Sequence, residues 1–332
     1  MGIIKHPKLE ALERECSENL KAALDEAEAF QFAEFDAKEV ERTGYSNYSY
    51  WGSTFRAFCK NKLALALVFI VLIILAFTFL QPYLPGQFDA FAVNNDPETG
   101  IPLRNEPPNS VHWLGTNSIG QDLWSRLWQG TRTSLLIGLA VACIEAVVGI
   151  TVGVLWGYVR KLDFVFTELY NILDNIPSTV VLILVSYMLR PGVGTIILAM
   201  SITSWIGMAR MVRAQVMSLK EQEFALAAYV LGASKSRILF KHLVINCMGS
   251  IIVNVTLLVP SAIFTEAFLS FVGIGISAPA ASWGTLANEA RSLIESSNPI
   301  QIIWPILAIC LTMLSLNFIG DGVSDAFDPK KK

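Results

Sequence analysis

The chain has 332 residues, of which 53% are hydrophobic and 16% are charged, and its formal net charge is −3. Its mean hydropathy of +0.49 exceeds that of soluble globular domains, so the composition excludes that class and indicates a membrane protein. The small net charge gives no indication of a nucleic-acid partner. The five cysteines do not have metal-ligand spacing, so no metal site is predicted.

An N-terminal extension, residues 1–62, precedes the first apolar stretch. Between residues 8 and 42, apolar residues recur at steps of three and four, which predicts a charged helix with one apolar stripe. This cytoplasmic helix is either a solvated extension packed on the protein or a surface that docks onto a partner subunit. Residues 44–53, rich in Tyr, Ser and Asn, are predicted to link it to the membrane.

The apolar stretches predict six transmembrane helices. Residues 63–80 carry no charge and are long enough to cross a hydrocarbon core of ~30 Å, and they lie too far from Met1 for a cleaved signal peptide. The remaining spans are predicted near Thr133–Tyr158, Phe164–Leu189, Val193–Val212, Leu243–Leu269 and Ile300–Gly320. Pro177, Gly192 and Gly194 are predicted to break helices, either as points of bending during gating or as passive kinks.

Lys and Arg are distributed unequally between the two sides of these spans. If Met1 lies inside, most of the basic residues flank the spans on the inner side. The positive-inside rule then places both termini in the cytoplasm. Residues 81–132 become an extracytoplasmic loop with an interfacial segment, residues 133–320 a five-helix core, and residues 321–332 a cytoplasmic tail.

Two predicted outer segments contain tryptophans. Trp113, Trp124 and Trp128 suit the headgroup level of the membrane, where an indole finds both apolar and polar partners. Residues 273–299 contain Ser282-Trp283-Gly284 and then a short amphipathic run, for which we expect an interfacial helix.

A polar, basic and alanine-rich segment, residues 218–242, joins two predicted spans on the inner side. Ser218 and Glu221 match a capping box at a helix start. Gly232 suits the left-handed conformation that ends a helix, and Ser234 can cap a second helix. The predicted hairpin is either a docking element or a loop that only joins two spans.

The hairpin resembles the EAA loop of permease subunits in ATP-binding-cassette (ABC) importers, because Ala227-Ala228 is followed by Gly232 at the family's spacing. Ordered segments are similar to the second, C-type permease of dipeptide and oligopeptide importers: 112–116, 120–122, 125–127, 130–135, 174–177, 266–275, 282–284, 317–322 and 325–329. The resemblance implies a type I importer fold. It also implies that an ATPase-coupling loop is formed by Glu223, Phe224, Ala227, Ala228, Gly232, Ala233, Ser234 and Arg237.

Three positions depart from the family's pattern. Leu226 stands where the loop has its usual glutamate, although Glu223 lies one turn earlier. Ile245 replaces a proline that often follows the hairpin, and Gln121 replaces a usual arginine. These departures concern the details of docking and the role of position 121.

The chain contains no P-loop sequence, so it is not predicted to bind nucleotide, to carry a cofactor or to be an enzyme. The resemblance implies that ATP and Mg²⁺ are bound by two separate cytoplasmic ATPase subunits. It further implies a heterodimer with a homologous permease in the plasma membrane of a prokaryote. An extracytoplasmic binding protein would deliver the peptide.

Glu145, Asp174 and Glu266 lie within predicted spans, where an ionised carboxylate is costly unless it faces the bundle interior or water. All three are candidates for the translocation path, where they would contact a substrate amine. The alternative for each is an interhelical hydrogen bond or salt bridge.

Two alternatives to peptide import stay open. Permeases of the same family carry nickel or glutathione, so the resemblance does not by itself determine the substrate. A secondary carrier or small channel driven by an ion gradient is the rival class. Such carriers often have internal repeats, which this sequence does not show, and they need no docking hairpin.

Overall fold

A computed structural model describes residues 50–293 and 299–327. The helix predicted over residues 8–42 and the end of the predicted tail lie outside these described residues. Within them the chain is helical, and its pairing of extended segments is limited to two isolated bridges, Asn95 with Pro102 and Thr116 with Asp122.

The helices follow one another in an order that alternates long membrane spans with short connecting elements. In chain order they are α1 (Tyr50–Lys60), α2 (Lys62–Leu80), α3 (Leu123–Tyr158), α4 (Arg160–Asp174), α5 (Ser178–Met188), α6 (Val193–Lys220), α7 (Glu223–Val230), α8 (Lys235–Arg237), α9 (Val244–Val272), α10 (Trp283–Arg291) and α11 (Ile303–Phe327). A π-helical turn, Ile238–Leu243, joins α8 to α9, and short 3₁₀ turns lie at Gln81–Tyr83 and Pro299–Ile302.

Five helical segments of the described chain are long and apolar enough to cross a membrane, and α4 with α5 forms a sixth span if the pair is counted as one. The two helices are bent by 80° at their junction, where Pro177 precedes α5. Thus the predicted break at Pro177 is confirmed. The predicted third span, Phe164–Leu189, is divided at this break into two helices, and the 11 residues of α5 reach about 16 Å.

Several spans are longer than the apolar stretches that predicted them. Helix α3 begins at Leu123, ten residues before the predicted start, and α6 continues to Lys220 instead of ending at Val212. At 36 residues, α3 is about 54 Å long, which exceeds the ~30 Å hydrocarbon core. We define the end of the bundle with residues 218–243 as the hairpin end and the end with residues 81–122 as the loop end.

Helices α3 and α6 approach each other so closely that their backbones touch. Gly149, Gly153 and Gly157 recur every fourth residue and therefore lie on one face of α3. A Cβ atom at Gly153 would lie 2.5 Å from the carbonyl oxygen of Ala209 and 2.7 Å from Cβ of Val212. Small residues allow this approach, which dispersion forces stabilise in a membrane, where there is no hydrophobic drive between helices.

We expect Gly153→Ala to destabilise the protein by roughly 1–3 kcal/mol, because the added methyl group must push apart two helix backbones. The measurement is the midpoint of thermal unfolding in detergent. Gly194→Ala is the matched control, since a Cβ there meets nothing within 4 Å and alanine favours helix. Equal midpoints for the two variants would contradict the close α3–α6 contact.

Candidate coupling hairpin and transmembrane cavities

The first helix of the hairpin begins later than predicted. Helix α6 runs through Ser218 to Lys220, and α7 starts at Glu223 after Gln222, whose side chain makes no capping hydrogen bond. The predicted capping box of Ser218 with Glu221 is therefore wrong. Val212 and Val216, both completely buried, extend the packed face of α6, so tertiary packing continues the helix through the local capping signal.

The elbow of the hairpin has the predicted conformation. Gly232 has a φ of +82°, and its amide donates to the carbonyl of Tyr229 at 3.0 Å. Ala233 donates to the carbonyl of Ala228, also at 3.0 Å. The hydroxyl of Ser234 then accepts from the amide of Arg237 at 3.3 Å, which caps α8. These bonds end one helix and start the next within a few residues.

The hairpin is attached firmly to the long helices. Ala225 is buried and packs in a hydrophobic cluster with residues of α3, α6 and the π-helical turn, among them Val154, Val216 and Leu243. The hydroxyl of Tyr158 on α3 donates to the carbonyl of Lys235 at 3.0 Å. Lys220 Nζ donates to the carbonyl of Gly157 at 3.2 Å. A displacement of the hairpin would therefore also move the ends of α3 and α6.

The predicted loop residues divide into an outward set and an inward set. Ala228 and Ala233 are half-buried against the hydrophobic cluster. The exposed members are Glu223, Phe224, Ala227, Gly232, Ser234 and Arg237. Ala225, which the sequence grouped with Ala227 and Ala228 on a face for another protein, instead faces the bundle and is buried.

The surface that the hairpin exposes is apolar with a basic rim. Its large exposed apolar residues are Phe224, Leu226, Tyr229, Val230, Leu231 and Phe240. Lys235, Arg237 and Lys241 lie exposed beside them. Exposed apolar patches that polar residues surround are typical of protein–protein contacts.

Glu145 faces a polar cavity between the spans. The cavity has a volume of about 210 Å³ and is lined from α3, α5, α6 and α9. Besides Glu145, its polar lining residues are Ser178, Thr203, Ser204, Ser261 and Thr265. The carboxylate is half-buried, so it can reach a molecule in this cavity.

Asp174 lines a second cavity of about 250 Å³ at the bend between α4 and α5. Arg210 Nη1 donates to the hydroxyl of Tyr170 at 2.7 Å, and that hydroxyl donates to Asp174 Oδ2 at 2.8 Å. Ser178 and Thr203 line both cavities. The cavities that Glu145 and Asp174 line are therefore adjacent.

Glu266 has a different environment. It is completely buried and lines neither of these two cavities. It accepts hydrogen bonds from Ser134 on α3 and Ser270 on its own helix, each at 2.8 Å. Ser134 also accepts from the amide of Trp283 at 3.2 Å. This geometry favours the interhelical role for Glu266 over contact with substrate.

At the loop end, the connecting segments are fastened to the bundle by side chains distant in sequence. Arg126 Nη2 contacts Glu289 Oε1 at 2.6 Å, which joins α3 to α10. Gln301 donates to the carbonyl of Thr116 at 2.8 Å. Gln121, one of the three positions that depart from the family's pattern, is buried and donates to the carbonyl of Phe91 at 3.1 Å. This bond joins the loop around Phe91 to the segment that precedes α3.

The short helix predicted after Gly273 is present as α10, and a capping box starts it. Ser282 accepts from the amide of Thr285, and Thr285 accepts from the amide of Ser282 at 2.7 Å. The indole of Trp283 is completely buried and donates to the hydroxyl of Thr131 at 3.0 Å. Sequence reasoning placed this helix at the interface but missed that it is anchored inside the protein.

Comparison with known proteins defines the class. A family described as the binding-protein-dependent transport system inner membrane component matches residues 149–332. A second family, described as the N-terminal TM domain of oligopeptide transport permease C, matches residues 49–108. The chain belongs to the family of permeases of binding-protein-dependent ABC transport systems.

Individual relatives narrow the class to the C-type permeases. The chain is 42% identical to the oligopeptide transport system permease protein of Bacillus subtilis, over 91% of this chain and 96% of the relative. It is 39% identical to the dipeptide transport system permease protein of the same organism, over 88% and 90%. A glutathione transport system permease protein of Pectobacterium atrosepticum is 35% identical over 85% and 92%.

We expect Glu266→Ala to lower the free energy of unfolding by about 2–4 kcal/mol, because two buried hydroxyls lose their acceptor and a cavity forms. Glu145→Ala, in a half-buried cavity wall, should change it by less than about 1 kcal/mol. Thermal unfolding of both variants in detergent is the measurement. Glu266→Gln should recover part of the loss, since its amide oxygen still accepts. A larger loss for the Glu145 variant would contradict these assignments.

Proposed function

We propose that this chain is one permease of a heterodimer that imports di- and oligopeptides across the plasma membrane of a prokaryote. The observation that carries the proposal is the hairpin, with its exposed apolar surface outside and its attachment to α3 and α6 inside. The identities of the relatives as oligopeptide and dipeptide permeases support the substrate class. A self-sufficient carrier would have no use for such a surface.

In the proposed orientation, the hairpin end faces the cytoplasm and both termini lie on that side. The basic residues Lys235, Arg237 and Lys241 at this end support it, because positive charge is retained inside. The loop end would then face the binding protein. The partner ATPase subunits, which would bind ATP and Mg²⁺, would press on the apolar surface around Leu226 and Leu231.

The coupling step follows from the contacts of the hairpin. A force on α7 would reach α3 and α6 through the packing of Ala225 against Val154 and Val216. The bond of Tyr158 to Lys235 joins α8 to α3, and the bond of Lys220 to Gly157 joins the ends of α6 and α3. The same two helices carry Glu145 and Thr203, which line the polar cavity. Closure of the ATPase subunits would therefore change the shape of the path.

The proposed path uses Glu145 and Asp174. A peptide has a cationic amino terminus, and a carboxylate in a cavity of low dielectric binds it more strongly than water would allow. Asp174 lies at the bend of α4 with α5, where Tyr170 and Arg210 hold it. Breaking this chain of hydrogen bonds would free Asp174 for a passing amine.

Gly232→Val should reduce ATP-driven peptide uptake by more than about tenfold while the chain still inserts, because a β-branched residue is strained at a φ of +82°. Uptake into proteoliposomes containing the whole transporter is the measurement. Gly232→Asn is the matched control, since asparagine tolerates the left-handed region. Normal uptake by the valine variant would show that the elbow does not couple ATPase to permease.

Glu145→Gln should raise the KM for peptides with a free amino terminus by about tenfold, the cost of losing one charge-assisted hydrogen bond. For the N-acetylated form of the same peptide, parent and variant should have equal KM values. Glu168→Gln is the control, because Glu168 is exposed on α4 and lines neither cavity. An equal change for both peptide forms would contradict contact between Glu145 and the amine.

A further inference from the structure

A third cavity lies at the loop end, away from the proposed path. It has a volume of about 290 Å³. Its aromatic lining residues are Phe88, Trp113 and Trp124, and Asp122 is also part of the lining. The rest of the lining is Pro85, Gly86, Gln87, Ser110 and Val111. No residue that lines this cavity lines either of the two polar cavities or belongs to the hairpin.

The aromatic walls are held in place by their neighbours. Trp113 meets Trp124 edge to face, with ring centroids 5.1 Å apart. The indole N–H of Trp124 donates to Gln87 at 2.9 Å. Phe88 lies against the ring of His112 with centroids 4.6 Å apart. The cavity therefore presents aromatic surfaces of fixed position, which attract cations through the ring quadrupole.

Asp122 gives the cavity its charge. Among the described residues that line it, Asp122 alone has an acidic or basic side chain, and that side chain is nearly completely buried. His112 Nδ1 lies 2.8 Å from Oδ1, and Oδ2 accepts from the amide of Ser125 at 2.8 Å. Each oxygen keeps a second lone pair, so the carboxylate can accept a further donor.

The cavity adjoins the end of α2, which is long and apolar enough to cross a membrane. Its wall begins at Pro85, two residues after the 3₁₀ turn Gln81–Tyr83 that follows α2. Phe77 of α2 contacts both Trp124 and Trp128, at 5.9 and 4.5 Å between centroids. The aromatic cluster thus continues from the membrane span into the cavity. Helix α2 also exposes apolar residues, among them Ile73 and Leu80.

We propose that this cavity binds the ammonium headgroup of a phospholipid such as phosphatidylethanolamine. The headgroup would lie between Trp113 and Trp124 with its N–H groups toward Asp122, and the acyl chains would run along the exposed face of α2. Aromatic rings with a carboxylate form a site for an alkylammonium group. The sequence-based prediction that Trp113 and Trp124 lie at the headgroup level supports this depth for the site.

The test uses the full chain purified in the complex in which it is expressed, and counts retained lipid by native mass spectrometry. Phosphatidylethanolamine and phosphatidylglycerol with identical acyl chains are the two probes. The parent protein should retain the first at least roughly fivefold better, which corresponds to one cation–π contact with charge pairing. Equal retention of the two lipids would overturn the proposal.

Two variants test whether the lipid preference depends on residues that line this cavity. Asp122→Asn removes the charge yet keeps the N-cap of α3, and Val111→Arg places a competing cation at the exposed mouth. Both should abolish the preference for the ethanolamine lipid without changing retention of phosphatidylglycerol. Tyr83→Leu is the control, because this exposed aromatic residue follows α2 but does not line the cavity. Unchanged preference in both variants would overturn the proposal.

Two other occupants would be recognised by separate results. If ethanolamine alone protected the tryptophans from fluorescence quenching as well as the lipid did, the site would bind a free cation and the lipid assignment would be wrong. If the variants kept the lipid preference but lost affinity for the purified binding protein, the occupant would be a cationic side chain of that protein. Either result contradicts a lipid site.

Discussion

The close contact between the backbones of α3 and α6 is the constraint on which the rest of the structure depends. In lipid the helices gain nothing from the hydrophobic effect when they meet, so they must approach closely to gain dispersion energy. Gly149, Gly153 and Gly157 permit that approach because their faces present no side chain. The contact brings Glu145 on α3 beside Ser204 on α6, and it brings the hairpin-end termini of both helices together.

The hairpin and the junction of α4 with α5 differ in how closely they are packed against the long helices. The hairpin is closely packed, because Ala225 lies in the hydrophobic cluster and the second helix of the hairpin is hydrogen-bonded to Tyr158. At the junction of α4 with α5, the 80° bend interrupts the helical hydrogen bonds, and Asp174 is exposed. In the proposed mechanism, the packed hairpin would transmit displacement and the bent junction would change shape.

Features that depend on local sequence were predictable, and features that depend on distant pairs were not. The apolar stretches predicted the spans, and Gly232 with Ser234 predicted the elbow, because capping and left-handed backbone are local properties. The capping box at Ser218 failed because packing of Val216 continued α6 past it. The contact of Arg126 with Glu289 joins residues far apart in the chain, for which the sequence has no periodic or local pattern.

The most direct test of the central claim, that the hairpin couples this permease to a separate ATPase, is transport by the purified chain with and without its partners. Proteoliposomes that contain the whole transporter and the binding protein should accumulate peptide only when ATP is present on the hairpin side. Proteoliposomes that contain this chain alone should accumulate none, with or without an ion gradient. Gradient-driven accumulation by the chain alone would contradict the account.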